Sequence, residues 1–455
     1  MKFRLLSVIT AAATLGVSSG CSTVPVQSSR QQAQALLQRS AGTLAQFPDN
    51  AEAAENELRT LLAAPLDATA AIRVAWLRNA DAQAACAQLG ISTADIFAAS
   101  RPANPQLGLA WLWPSPHGGD RKLDGTLGFS LDDLIRLPSR RQYGAVELRA
   151  AQQQLAAKLY ALALDTLDAW LEAAASQQRL SVRRAIAESA QTAAELAEQY
   201  RLAGNINAVE TALQAAAGTE AALSLSRSER DASRSRSRLR QILGLTATDP
   251  ALQLPTNLPA AEALTFEAQQ LHAEARSQRL DLAAARSEVE SVSLRLAATR
   301  RFRLLGGSAV SVLGEQEGDS RRTGIGAGIE LPLFSQGQSA VARATAELQL
   351  AEAHVRQLEV SIDAEVDAQL EQLARAYDEY RQYRERLIPQ RESIVARLSE
   401  QANFMLTGPF ELLLARQQSY SAYEGAVDAL QSWWQSRVAL ARALGAPLPM
   451  PVRGN

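Results

Sequence analysis

Two periodicities divide the chain. From Ser139 to Asp249 there is no proline and little glycine, and Leu148, Leu155, Leu159 and Leu162 fall on one helical face with Glu, Gln and Lys elsewhere. Further on, Val341, Leu348, Val355 and Ile362 recur every seven residues, with Ala344, Ala351 and Leu358 interleaved. That is the seam of a coiled coil, and its alanines allow close helix approach. A helix from Ser139 to about Leu202 would be on the order of 95 Å long at 1.5 Å per residue. No globular domain needs that length.

Four shorter segments alternate with a period of two. In Gln106–Trp113, Leu107, Leu109, Trp111 and Trp113 share a face, and Gly125–Leu131 alternates in the same way. Arg303–Gly314 and Gly324–Leu331 form a second pair, with Ile325, Ala327, Ile329 and Leu331 on one side. Polar loops at Pro114–Lys122 and Glu315–Arg322 join the members of each pair. The segment lengths lie near the roughly 9–11 residues of a tilted transmembrane strand. Trp111 and Trp113 beside a loop suit a membrane-interface belt. The competing reading is two soluble hairpins packed on the helices.

The chain also repeats itself. Helix, hairpin, Leu137-Pro138, long helix, glycine turn, helix and Leu243-Gly244 make the first half. Helix, hairpin, Leu331-Pro332, long helix, glycine turn, helix and Leu444-Gly445 make the second. The turns are centred on Gly204 and Gly408, 204 residues apart, whereas Gly244 and Gly445 are 201 apart. Residues 66–259 and 260–446 are thus read as two repeats, with 21–65 as an N-terminal tether or collar and 447–455 as a tail. Two hairpins give four strands, which cannot close a barrel and would leave open edges in lipid. An eight-stranded barrel is filled by its own side chains, so three copies form the smallest assembly with a lumen.

Composition narrows the alternatives. Aromatic residues make up only 5% and charged residues 21%, which suits long helices with thin seams over a thick aromatic core. The net charge of −2 gives no argument for a nucleic-acid partner. At the start, Lys2 and Arg4 precede an apolar stretch, Leu5–Val17, then Ser18, Ser19, Gly20 and Cys21. Residues 1–20 read as a signal peptide. A cysteine after small residues resembles a bacterial lipoprotein cleavage box, which makes Cys21 the lipid-attachment residue. Ser22, rather than Asp, favours outer-membrane delivery by the same resemblance. Cys86 is then left without a partner, so no disulfide framework exists.

Three motifs carry a family likeness. Gly328-Ile-Glu-Leu-Pro332-Leu-Phe-Ser-Gln-Gly337 is similar to a strand ending in L-P-L-F before a glycine and the outgoing helix. Arg279-Leu-Asp281-Leu282-Ala-Ala is similar to an R-P-D-L-A-A helix start, with Leu280 in place of proline. The turns at Gly204 and Gly408 follow an aromatic residue by four positions. In this order, twice over, the chain resembles the TolC-type outer-membrane efflux proteins from about Leu66 onward. The resemblance implies a mainly α fold with membrane β-strands: a homotrimer with a twelve-stranded barrel in the outer membrane and a long coiled-coil helical barrel in the periplasm. It implies a periplasmic adaptor and an inner-membrane transporter as partners, outer-membrane lipid around the barrel, and no cofactor beyond the lipid on Cys21. In known members, aspartates past the second turn ring the tunnel mouth. Here Leu414 and Gln417 stand at about those places, which leaves Glu210 and Glu411 as candidate gate carboxylates beside an ordinary solvated-tip reading.

Other signals carry less. Gly324-Ile-Gly-Ala-Gly328 lacks the spacing of a phosphate loop and reads as strand glycine. His117, His272 and His354 are scattered, with no metal or catalytic constellation, so no enzyme is expected. The arginine run from Arg227 to Arg240 reads as a solvated helix face, and Trp433-Trp434 as packing residues. A periplasmic coiled-coil adaptor is the runner-up, but it would carry one helical hairpin where this chain has two.

Overall fold

Helix-forming residues uninterrupted over long stretches give helices of matching length. The computed structural model describes residues 23–42, 51–113, 120–264 and 266–447. Cys21, the signal segment and most of the tail lie outside the described residues. Short helices α1 (Val26–Ala41), α2 (Ala51–Leu62), α3 (Ala68–Arg78) and α4 (Ala80–Ala99) lead to strands β1 (Gln106–Leu112) and β2 (Lys122–Ser130). Then come α5 (Leu131–Leu202) and α6 (Ala208–Ile242). The second half runs α7 (Ala268–Gln278), α8 (Leu280–Arg301), β3 (Ser308–Glu317), β4 (Ser320–Ile329) and α9 (Gln338–Gln382). A π-helical turn, Tyr383–Leu387, carries α9 into α10 (Ile388–Asn403), and α11 (Pro409–Leu444) returns.

The seams pack as the periodicity predicts. Leu155 and Leu159 of α5 are buried, with Leu148 and Leu162 against the same core. On α9, Ala344, Ala351 and Ile362 are buried, with Val355 and Leu358 packed beside them. Farther down α5, the buried residues shrink to Ala190, Ala193 and Ala197. A Cβ on Gly218 of α6 would come within 3.3 Å of the Ala194 methyl, so the helices touch almost backbone to backbone there.

Helix α5 begins eight residues before Ser139, and Pro138 lies inside it. Ser130 caps the start, with Asp132 and Asp133 in the first turn against the positive end of the helix dipole. Proline removes one donor from the ladder. Arg140 reaches back to this turn, donating to the Asp133 carbonyl at 2.9 Å and pairing with its carboxylate at 2.6 Å. At Pro332 no such cap exists, and the second helix waits for Gly337, whose φ is +75°.

The widest part of the core is clamped by aromatic hydrogen bonds. The indole of Trp76 donates to the Leu159 carbonyl at 2.8 Å, Trp170 to Leu66 at 2.8 Å and Trp434 to Pro259 at 2.9 Å. Trp433 and Trp434 are buried edge to face, 4.8 Å apart, as packing residues should be. Two kinked helix pairs occupy equivalent places. Asn79 joins α3 to α4, accepting from Asp81 and Ala82 and donating to the Ile242 carbonyl at 2.7 Å. Arg279 joins α7 to α8, gripping Asp281 at 2.7 Å and Glu365 at 2.5 Å. Gly244 and Gly445 close over these kinks with φ +67° and +64°.

A Cβ on Gly244 would lie 2.6 Å from the Arg78 carbonyl oxygen, whereas one on Gly204 would meet nothing within 4 Å. Both positions have positive φ, which costs an alanine about 1–2 kcal/mol. Gly244→Ala should therefore lower the unfolding temperature of the detergent-extracted protein well beyond the decrease for Gly204→Ala. Equal losses in a thermal melt would contradict the packing account.

Candidate functional site

The four strands form one antiparallel sheet in the order β1-β2-β3-β4. Residues opposite one another in register share a face. One face carries Leu107, Leu109 and Trp111, then Leu123, Leu127 and Phe129, then Val310 and Val312, then Ile325, Ala327 and Ile329. The other carries Thr126, Ser130, Ser311 and the glycines 324, 326 and 328, with Lys122, Asp124, Glu315, Glu317 and Arg322 toward the hairpin end. Among the described residues no element covers the apolar face: Trp111 is 57% exposed, Trp113 75% and Ile325 84%. Soluble hairpins packed on helices would bury these side chains.

The strand boundaries correct the sequence reading in two places. Arg303–Gly307 lies outside β3, and Glu315–Arg322 is mostly paired strand. Glu317 sits opposite Ser320 across a two-residue turn whose first residue, Gly318, has φ +56°. That value favours glycine, and the right-handed strand twist favours such turns. On the polar face Asp124 stands directly opposite Glu315, and Lys122 lies between them, 3.7 Å and 2.8 Å from the two carboxylates. Of the other connection, residues 114–119 lie outside the described residues.

At the far end of the helices the two turns come together: the rings of Tyr200 and Phe410 meet edge to face at 5.9 Å. At the first turn, Asn205 donates to the Tyr200 carbonyl and Gly204 to that of Arg201, the Schellman closure with glycine left-handed. The second turn closes identically, Leu406 to Gln401 and Met405 to Ala402, but the left-handed residue is Met405 at φ 55°. Met405 is thus the counterpart of Gly204. Gly408 instead matches Asn207 as the N-cap of the returning helix. The repeat runs at 201 residues here as at Gly244 and Gly445, which corrects the 204-residue spacing read from the glycines.

Glu210 and Glu411 are equivalent in this register, both exposed in the first turn of α6 and α11. Glu210 completes a capping box: Asn207 accepts from its backbone at 2.9 Å, and its carboxylate accepts from the Asn207 N–H at 3.3 Å. The Glu411 carboxylate accepts from the Thr407 hydroxyl. Around them Leu202 is 72% exposed, Phe404 76%, Met405 93% and Leu406 76%. Sequence reasoning found the carboxylates but not this apolar tip. The signal was present in Phe404-Met-Leu, three apolar residues in a turn.

Elsewhere the arginine run is an exposed face of α6, with Arg238 on Glu172 at 3.1 Å and Arg236 on Gln177 at 2.7 Å. His272 lies between Asp363 and Asp367 of α9, and among the described residues no cluster of His, Cys, Asp or Glu could hold a metal ion. A polar cleft of about 450 Å³ is lined by Asp168, Glu172, Arg238, Gln369 and Gln435. Burial pushes Asp168 up to about 6, against the pull of Arg442.

Folding therefore places a proton on Asp168 in the window between about pH 4 and 6, and stability falls as pH rises through it. Asp168→Asn should raise the melting temperature at pH 7–8 by a few degrees at most and leave it unchanged at pH 4. A pH-independent difference in parallel melts would show that the carboxyl is not held protonated.

No protein-family model matches the chain, and no curated protein matches it either. Solved structures do. The outer membrane protein VceC of Vibrio cholerae is similar at 17% identity and TM-score 0.67, over 86% of this chain and 97% of that one. The open state of the Neisseria gonorrhoeae MtrE outer membrane channel matches at 16% identity and TM-score 0.68, over 88% and 91%. The Campylobacter jejuni CmeC outer membrane channel matches at 14% and 0.63, over 94% and 87%. With its sheet at one end and two long coiled-coil hairpins leading to a common tip, the chain has the protomer fold of these outer-membrane channels, the fold that the TolC resemblance implies.

Proposed function

We propose that three copies of this chain form an outer-membrane exit duct of a tripartite efflux system, passing small solutes such as drugs or metal ions from periplasm to exterior. The observation that carries this is the bare sheet: apolar and exposed on one face, polar and charged on the other, with unpaired edges at β1 and β4. β1 and β4 run antiparallel to each other in the alternating sheet, so β1 of one copy can pair with β4 of the next without breaking the pattern. Ten-residue strands tilted by about 40° span about 25 Å, the height of a lipid-facing band. The apolar face then meets lipid, and the ladder of Lys122, Asp124 and Glu315 meets water in the lumen. Helix α5, about 108 Å long at 72 residues, carries the tube into the periplasm.

On this reading the chain does no chemistry and supplies no energy; an inner-membrane transporter does. Cys21 carries the lipid. The tip is where a periplasmic adaptor docks, through Leu202, Phe404, Met405 and Leu406, while Glu210 and Glu411 set the potential of the narrow mouth. A pore-less adaptor is disfavoured because it has no use for an exposed apolar sheet with two free edges.

Two outcomes follow. In planar bilayers the purified protein should conduct as a trimer, and Glu210→Gln/Glu411→Gln should reduce its preference for cations over anions. A monomer without conductance contradicts the duct, and unchanged selectivity removes the gate role of these carboxylates alone. Met405→Gly removes a left-handed non-glycine residue, so it should stabilise each protomer by about 1 kcal/mol. The same substitution should weaken adaptor-dependent export, read as drug or metal sensitivity of cells. Gain in stability with export intact would free the tip of a docking role.

A further inference from the structure

Where the sheet joins the helices, charge and apolar surface are juxtaposed in a way that the duct itself does not require. Helix α8 ends on Arg300-Arg301, followed by Phe302, Arg303 and Leu304 before the chain enters β3. All three arginines are exposed, and among the described residues none has an ion-pair partner. The Arg301 guanidinium lies over the Phe302 ring at 5.2 Å, and Arg136, itself paired with Asp132 at 3.7 Å, lies over the same ring at 5.9 Å. The neighbouring carboxylate, Glu330, accepts from the Gly307 N–H at 3.1 Å and pairs with none of the three.

Beside this run lies Leu331-Pro-Leu-Phe334, which leaves β4. The two segments touch: the Cβ position of Gly337 is 2.9 Å from the Arg303 carbonyl and 3.0 Å from its Cβ. Leu331 is 70% exposed, Leu333 71% and Phe334 96%, and Leu304 adds another exposed leucine. Leu331 and Leu333 follow Ile325, Ala327 and Ile329 directly past the end of the strand, where the chain turns with the Leu333 N–H donating to the Leu331 carbonyl at 2.9 Å. The apolar band of the sheet thus runs on into an apolar lip, and three unpaired guanidinium groups stand at that edge.

We propose that this edge is a binding surface for anionic phospholipid in the leaflet on the helix side of the membrane. The inference rests on the outer-membrane reading above. Leu331, Leu333 and Phe334 would enter the acyl boundary, and Arg300, Arg301 and Arg303 would take the headgroup phosphates through their paired N–H donors. Exposed arginines next to a membrane-facing apolar strip are complementary in charge to phosphatidylglycerol or cardiolipin and favour them over a zwitterionic lipid, whose phosphate is balanced by its own ammonium group. Three copies would ring the barrel with nine such cations and fix its depth in the bilayer.

Native mass spectrometry of the full-length, detergent-extracted trimer tests this, with phosphatidylglycerol or phosphatidylcholine added. The wild-type protein should retain phosphatidylglycerol in preference. Arg300→Gln/Arg301→Gln/Arg303→Gln should lose that preference by about tenfold or more. Arg321→Gln/Arg322→Gln, at the opposite end of the strands, should keep it. If the triple glutamine variant does not assemble, the triple lysine variant retains charge and should retain part of the preference. A triple variant that binds phosphatidylglycerol like the wild type overturns the proposal. So does one that changes ion selectivity in planar bilayers while its lipid binding is intact, since the arginines would then face the lumen. Absence of any trimer or conductance in the wild-type protein would instead overturn the duct.

Discussion

A strand whose outer edge has no partner is tolerable in water, where solvent bonds the free N–H and C=O groups. In a bilayer core it is not, because each unsatisfied group costs several kcal/mol. The sheet of this chain has two such edges and an apolar face that none of the described residues covers. Water would penalise the face, and lipid would penalise the edges. In the proposed duct, closure with further copies removes both penalties, and the alternating strand directions permit it. The rest of the molecule can be understood as what positions four strands for that closure.

The helices meet the same demand with small residues. The proposed duct needs helices in a single layer, and the long helices here have a narrow buried stripe in place of a thick core. The alanines at 190, 193 and 197 on α5 and 344 and 351 on α9 supply that stripe, and Gly218 lets α6 approach closest. Large side chains concentrate where the layer thickens, around Trp76, Trp170, Trp433 and Trp434. There the indole N–H groups of Trp76 and Trp170 bind carbonyls of distant segments within the first half, and that of Trp434 ties the last helix to Pro259 of the first half. The kinks at Asn79 and Arg279 are each covered closely by a left-handed glycine, Gly244 and Gly445.

Much of this was legible in the residues. Heptads named the seams, period-two segments named the strands, and the alternation assigned the correct face, because strand and helix periods depend only on local geometry. The failures have physical causes. Pro138 reads as a boundary, but Ser130 caps a helix that starts before it and Arg140 holds the preceding turn through Asp133, contacts that are invisible without the fold. Residues 315–317 and 320–322 read as loop, because polar side chains on an exposed strand are indistinguishable by sequence from those of a turn. The second tip was aligned on Gly408, since glycine is the usual left-handed residue. Met405 takes that conformation instead, and its backbone angle and turn hydrogen bonds bring the tip into the same 201-residue register as Gly244 and Gly445. Glu210 was found by charge, but its capping bond to Asn207 was not, although the Asn-x-x-Glu spacing could have indicated it.

Closure of the sheet by copies of the chain is the central claim, and imaging tests it most directly. Full-length protein extracted from membranes and viewed by negative stain should give hollow three-fold particles, with a stalk of about 100 Å set by the length of α5. Monomers, or assemblies with a solid centre and no three-fold view, would mean that the edges of β1 and β4 do not meet across copies.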